Sequence, residues 1–386
     1  MSIASQLRIA AAGAACVLSL HAAPVRAGAN EQAKRLFDRI AGVPPTTAEL
    51  ATMAGDISGG DAIAAANVAL DAPSFYNVTL KNLVTPWTNR DQTVFAPLND
   101  YTATVIGMVR DDIPFNTALS DDILYTVGGS GLPAPSAANN DHYAQAEATN
   151  VDLKTNLHKT TQSATYGIPA AATAGLMTTR AASAAFFING TNRAMFRFTL
   201  INHLCRDMEQ VQDTSRPPDR IRQDVSRSPG GDSRIFLNSC IGCHSGMDPM
   251  AQAFAYYNFD TTLNKLVYTS GQPQPKYFIN SDNFKAGFVT PDDSWENRWR
   301  KGPNQILLWD SAQPGSGNGA KSLGQELAGS DAFAACQVQK VFKTVCYRAP
   351  RQADLAQLAT IKDNFVAGGY KLKQVFAETA VYCMGQ

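Results

Sequence analysis

Two cysteines and a histidine stand together in the run Cys240-Ile241-Gly242-Cys243-His244. Thiols separated by two residues can add to the two vinyl groups of one porphyrin. Each addition forms a thioether, and the histidine that follows is then held beneath the iron as an axial ligand. This C-x-x-C-H spacing is the attachment pattern of haem c. Gly242 is expected to leave room for the porphyrin against the backbone. A zinc site would need four ligands, and no second Cys/His pair stands at ligand spacing. A dithiol redox centre would want a thioredoxin-like strand–helix context, which the flanking sequence lacks. The pattern predicts one covalently attached haem c, with Cys240 and Cys243 as the thioether residues and His244 as the proximal iron ligand.

The use of such an iron depends on its sixth ligand. Electron-transfer cytochromes usually carry Met or His there, and haem enzymes keep the position open. No histidine follows His244, and no methionine lies between Met250 and Met384. Met247 and Met250 stand too near His244 to reach the opposite face. The distal candidates are therefore Met208, His203 and Met384, the first two on an apolar helix where core packing is their competing role. His142 and His158 fall in weakly patterned sequence and are expected to be solvated. Arg216, Arg220, Arg222, Arg227 and Arg234 precede the motif, and one or two could bind haem propionates. Asp213, Asp219, Asp224 and Asp232 are interleaved with them, so a solvated, ion-paired loop is expected for most.

Four cysteines remain downstream of the first two hundred residues: Cys205, Cys336, Cys346 and Cys383. If 331–347 is one helix, Cys336 and Cys346 lie about 15 Å apart along its axis. A disulfide needs its Cα atoms within about 7 Å. That removes the 336–346 pairing and, with it, 205–383. Two sets stay open, 205–336 with 346–383 or 205–346 with 336–383, and the alternative to both is four buried free thiols. Either set would tie the terminal helices to the helix that precedes the motif.

The elements that must carry these residues read as mainly α. Leu36, Phe37, Ile40 and Ala41 recur at helical spacing, Pro44-Pro45 ends that helix, and Thr46 with Glu49 forms a capping box for the next. Further helices are expected near 61–70, 74–83 and 99–110. Residues 193–211 predict a buried helix with Ala194, Phe198, Ile201, Cys205 and Met208 on one face. Three more are expected near 331–347, 352–367 and 370–383. The expected organisation is a signal segment at 1–27, a helical N-terminal domain at 28–126, a linker or irregular region at 127–180, and a helical, cytochrome c-like haem domain at 181–386. An irregular insertion is expected at about 263–320, with Trp295, Trp299 and Trp309 in ordinary packing roles.

Cys240 to Pro249, reading Cys-Ile-Gly-Cys-His-Ser-Gly-Met-Asp-Pro, is followed by Ala-Phe-Ala-Tyr-Tyr-Asn-Phe-Asp at 253–260. This stretch resembles the haem-c segment of a planctomycete-type cytochrome c family, whose members are assembled from several domains of unknown function. Phe333 to Cys336 and Gly369-Tyr370 are similar to that family's C-terminal domain. Gly42-Val43-Pro44-Pro45-Thr46 and Asp112-Ile113-Pro114-Phe115 are similar to its accompanying helical domain. The chain departs from the pattern at Cys346-Tyr347-Arg348, where relatives more often have Tyr and Gly before the Arg. The resemblance implies haem and export and supplies no substrate.

Composition narrows the function class. With 33 basic and 33 acidic side chains in 386 residues, the chain has no electrostatic footprint for nucleic acid. Arg8, the apolar run Ile9 to Leu20, and small residues up to Ala27 read as a secretory signal cleaved before Gly28. Its removal takes Arg8 and Arg26 and no acid, leaving 31 basic against 33 acidic groups. No later stretch is apolar enough to predict a membrane span. The expectation is an exported, periplasmic or secreted monohaem c-type cytochrome that passes electrons to or from a periplasmic oxidoreductase. The alternatives are a haem enzyme of peroxidase or oxygenase type with an open distal site, and a scaffold protein in which haem is structural.

Overall fold

The computed structural model describes residues 27–225, 232–278 and 287–385. The expected signal segment, apart from Ala27, and Arg227 lie outside them. The protein is mainly helical, with 56% of residues in helices and 7% in strands.

Local sequence explains most helix boundaries. Ala29–Ala41 buries Leu36, Phe37, Ile40 and Ala41 and ends at Gly42, whose φ of 74° is the left-handed conformation that glycine adopts without strain. Thr46 and Glu49 complete their capping box at the start of Thr47–Ser58. Asp61 caps Ala62–Leu70, and Asn99 caps Asp100–Arg110, which is buried along almost its whole length. The helix expected near 74–83 begins as a π-helix, Phe75–Leu80, and continues as Lys81–Val84.

The C-terminal helices Asp331–Cys346, Leu355–Ala367 and Leu372–Cys383 return to the N-terminal ones. Leu372–Cys383 packs on Ala29–Ala41 and Ala62–Leu70. Arg39 and Arg35 donate to the carbonyls of Cys383 and Met384, which satisfies the last turn of that helix. The main apolar core draws on residues from Ala33 to Ala380. The first and last helices therefore share one core, although the expected division places them in separate domains.

The stretch 127–180 is packed, where a linker was expected. Leu124–Val127 pairs antiparallel with Leu157–Thr160. The short helix Asp141–Ala148 buries His142, Tyr143 and Ala146. His142 is not solvated: its Nε2 accepts the Val127 N–H at 2.9 Å, and its Nδ1 lies 2.7 Å from the Pro133 carbonyl. A neutral imidazole can satisfy both sites, so the ring is retained inside. His158 is exposed on its strand. Among the described residues between 257 and 320, two small antiparallel pairs form, Tyr257–Asp260 with Lys265–Tyr268 and Ser294–Glu296 with Ser316–Asn318.

The cysteine pairing is resolved as 205–336 and 346–383, with Cα separations of 5.2 and 5.6 Å. Both pairs include a residue of the Asp331–Cys346 helix, so that helix is joined to the segment before the motif and to the last helix. Among the described residues, no helix is long and apolar enough to cross a membrane.

Candidate functional site

The motif lies in one continuous helical run. Asp232 caps a first turn, Ser233–Ile235; a π-turn, Phe236–Cys240, follows; then comes the helix Ile241–Ala251. Cys240 and Cys243 are half-buried and belong to neither disulfide. Cys240 packs at the edge of a small apolar cluster, Ile221, Phe236 and Ile241, which is separate from the main core. Ile235 and Leu237, just ahead of Cys240 in the same helical run, are 46% and 54% exposed.

The Gly242 carbonyl accepts the Asp213 N–H at 2.8 Å, and a Cβ at 242 would meet Gln212 at 3.4 Å, so this turn of the helix packs on the 211–213 segment. Ser245 Oγ donates to the Asp213 carbonyl at 2.7 Å and fixes the same contact one turn along.

Burial first, then the charges of Glu209 and Asp207, push the Cys243 thiol above its ordinary range. Its sulfur faces the Met208 carbonyl at 3.7 Å. Reactive thiolates arise where the surroundings are electropositive. Burial and the nearby acids thus work against thiolate formation at Cys243.

His244 is oriented from behind. Its Nδ1 lies 3.0 Å from Asp248 Oδ1, one helical turn on. An ionised carboxylate only accepts, so Nδ1 carries the donated proton and a neutral ring keeps its lone pair at Nε2. Asp248 is fully buried, and Arg193 grips it in a two-point pair at 2.7 and 2.9 Å. Arg193 also bonds Asp224, which in turn pairs with Arg222. Burial alone would raise the Asp248 carboxyl, but the Arg193 charge and the bonds from His244 and Arg193 outweigh it and hold the group well below the usual carboxylate range. Asp224 is held low in the same way, its burial overcome by Arg193.

Arg193 is itself held by tertiary contacts. It opens the helix Arg193–Thr199 directly after Asn192, which sits at φ 63°. Asn192 Nδ2 donates to the carbonyls of Phe254 and Tyr257, and its Oδ1 accepts from Lys276. The start of one helix is thus pinned to the chain leaving the other. The far side of the motif helix meets Trp299, where a Cβ on Gly246 would lie 1.9 Å from the indole nitrogen.

Of the expected distal ligands, only Met208 lies beside the motif. His203 stacks on Phe333, meets Trp87 edge-on and bonds the Tyr101 hydroxyl at 2.8 Å; none of these partners belongs to the motif segment. Met384 ends the last helix, where its carbonyl takes the Arg35 bond. Among the arginines, Arg216 pairs with Asp213, Arg234 with Asp232, and Arg222 with Asp224 while lying over the Tyr277 ring. Arg220, next to Ile221 of the Cys240 cluster, has a buried Nη1 with no hydrogen-bond partner among the described residues.

The donor set therefore fits a c-type haem: two unpaired thiols at the right spacing, an imidazole with Nδ1 occupied, exposed apolar side chains, and an orphaned guanidinium nitrogen. Among the described residues no group of three or more His, Cys, Asp or Glu converges as a metal site. Asp248 and Arg193 escaped sequence reasoning. The i, i+4 spacing from His244 was the available signal for Asp248; nothing local marks Arg193. Comparison with protein-family models, with curated proteins and with solved structures finds no match to this chain.

Proposed function

We propose that the protein is an exported monohaem c-type cytochrome that transfers electrons with a periplasmic or secreted redox partner. Cys240 and Cys243 would carry the thioethers and His244 the iron, and Arg220 is the propionate candidate. The observation that carries the reading is the pairing of His244 Nδ1 with a buried carboxylate, directly after two half-buried thiols that stay out of both disulfides. Metal-binding histidines are commonly anchored through the second ring nitrogen in this manner. Haem supplies one-electron chemistry when bound; the protein contributes ligation, burial and hydrogen bonding. The N-terminal apolar segment and the two disulfides support export, since disulfides persist in oxidising compartments.

One observation favours the second reading, a haem enzyme with an open distal site. His203 and Met384 are engaged elsewhere, leaving Met208 alone among the distal candidates near the motif. Absorption spectra with and without carbon monoxide separate the two. A low-spin spectrum unmoved by carbon monoxide supports electron transfer, and a high-spin ferric iron that binds ligands freely supports the enzyme. Cys240→Ser with Cys243→Ser should abolish haem retained on a denaturing gel. Haem that survives the double change refutes both readings.

A further inference from the structure

The chain His244–Asp248–Arg193–Asp224–Arg222 extends well past what is needed to orient one imidazole. Asp248 Oδ1 receives both His244 Nδ1 and Arg193 Nε, while Arg193 Nη2 takes the other oxygen at 2.9 Å. Arg193 is shared with Asp224, and Arg222 is anchored by Thr290 and the Tyr277 carbonyl. Two carboxylates and two guanidiniums thus alternate behind His244, each held by elements from distant parts of the chain.

A carboxylate accepting from Nδ1–H increases electron density at Nε2, and a cation on the same carboxylate withdraws part of that effect. Outer partners of this kind tune a ligand's basicity as well as its direction. We propose that Asp248 and Arg193 are opposed positioning residues for His244. Asp248 fixes the ring tautomer and rotation and makes Nε2 more basic; Arg193 limits that basicity, and the two together set the reduction potential of the bound group. This inference rests on the haem c reading of the same motif.

The arrangement favours a tuning role over a purely packing one. A buried ion pair is no better for stability, on general grounds, than apolar residues of the same shape. Here the pair is retained directly behind the candidate ligand, and Arg193 spans two carboxylates where one would satisfy packing.

The test compares full-length wild type, Asp248→Asn and Arg193→Lys, each purified with its haem. Haem per chain is measured first, as the pyridine haemochrome. The midpoint potential is then read by spectroelectrochemistry. Asparagine keeps the shape but loses the charge, so the potential should rise. Lysine keeps the charge but cannot grip both oxygens, so the potential should fall. Each shift is expected to reach about tenfold in the one-electron equilibrium, about 59 mV. Shifts in the same direction, or none, at one haem per chain would overturn the inference. Should Asp248→Asn not be recovered folded, Arg193→Lys decides alone, and an unchanged potential there overturns it. Wild type without haem would instead defeat the reading beneath it.

Discussion

His203 offers a quantitative test that is independent of haem chemistry. Its ring is 2% exposed, with Tyr101 on Nε2, Phe333 stacked on one face and the Trp87 edge nearby. Burial, with a smaller contribution from the Lys340 charge, lowers its pKa from 6.5 to about 3. Between these values the unfolded chain binds a proton that the folded chain refuses, so stability rises with pH across that window and falls as the solution is acidified. About pH 5 lies about 1.5 pH below the unfolded value. At about 1.36 kcal/mol per pH the loss relative to about pH 7.5 is about 2 kcal/mol, roughly a thirtyfold change in the folding equilibrium. The two assay values, about pH 5 and about pH 7.5, both lie above the ordinary carboxylate range of about 4. Urea unfolding of wild type and His203→Leu at the two pH values measures the effect. The variant should be weaker at both, because Tyr101 loses its partner at a cost of about 1–3 kcal/mol, but the pH-dependent difference should largely vanish. A variant that keeps the full slope would refute the assignment of His203 as a neutral core residue. The absorption spectrum of the haem-loaded variant should match wild type; a shifted Soret band would instead make His203 a ligand.

Gly246→Ala must displace Trp299 or the motif helix, and should cost about 1–3 kcal/mol in denaturant unfolding; unchanged stability would mean the two are not in contact. Replacing the Cys205–Cys336 pair by serine opens a 131-residue separation, against 37 for Cys346–Cys383. Loop entropy gives upper values of about 5 and about 4 kcal/mol, so the first pair should be the more damaging to lose. Arg193→Leu strands buried carboxylates and should cost about 3–5 kcal/mol near neutrality. Because Asp248 and Asp224 are held below their ordinary 3.8, the stability they contribute is complete above that value and is lost as the pH falls through their folded values. The gap between Arg193→Leu and wild type should accordingly close below about pH 4, as unfolding curves recorded across that range would reveal.

Features set by a few adjacent residues were legible in the sequence. Thr46 with Glu49 forms the expected capping box, and the helices expected near 99–110 and 331–347 form as Asp100–Arg110 and Asp331–Cys346. The same reading ran the 193–211 helix too far. A π-turn at Leu200–Leu204 adds a residue to the turn, and Cys205 then adopts φ 53°, so a face drawn at constant period no longer carries Cys205 and Met208 together. Short helices such as Asp141–Ala148 are below the length at which periodicity speaks, and their apolar contacts come from elsewhere in the chain. At the candidate site, thiols and imidazole are marked by spacing, but Arg193 lies 55 residues from Asp248. Sequence drew attention to the arginines nearest the motif, while the one that reaches Asp248 opens a helix well upstream. Only folding selects among them.

The Cys205–Cys336 link has a consequence for the integrity of the chain. It closes a covalent ring that contains Cys240, Cys243 and His244. A single peptide-bond cut between 206 and 335 opens that ring without releasing either piece. Proteolytic nicking within this span would therefore be invisible on a non-reducing gel and would resolve into two bands once reductant is added.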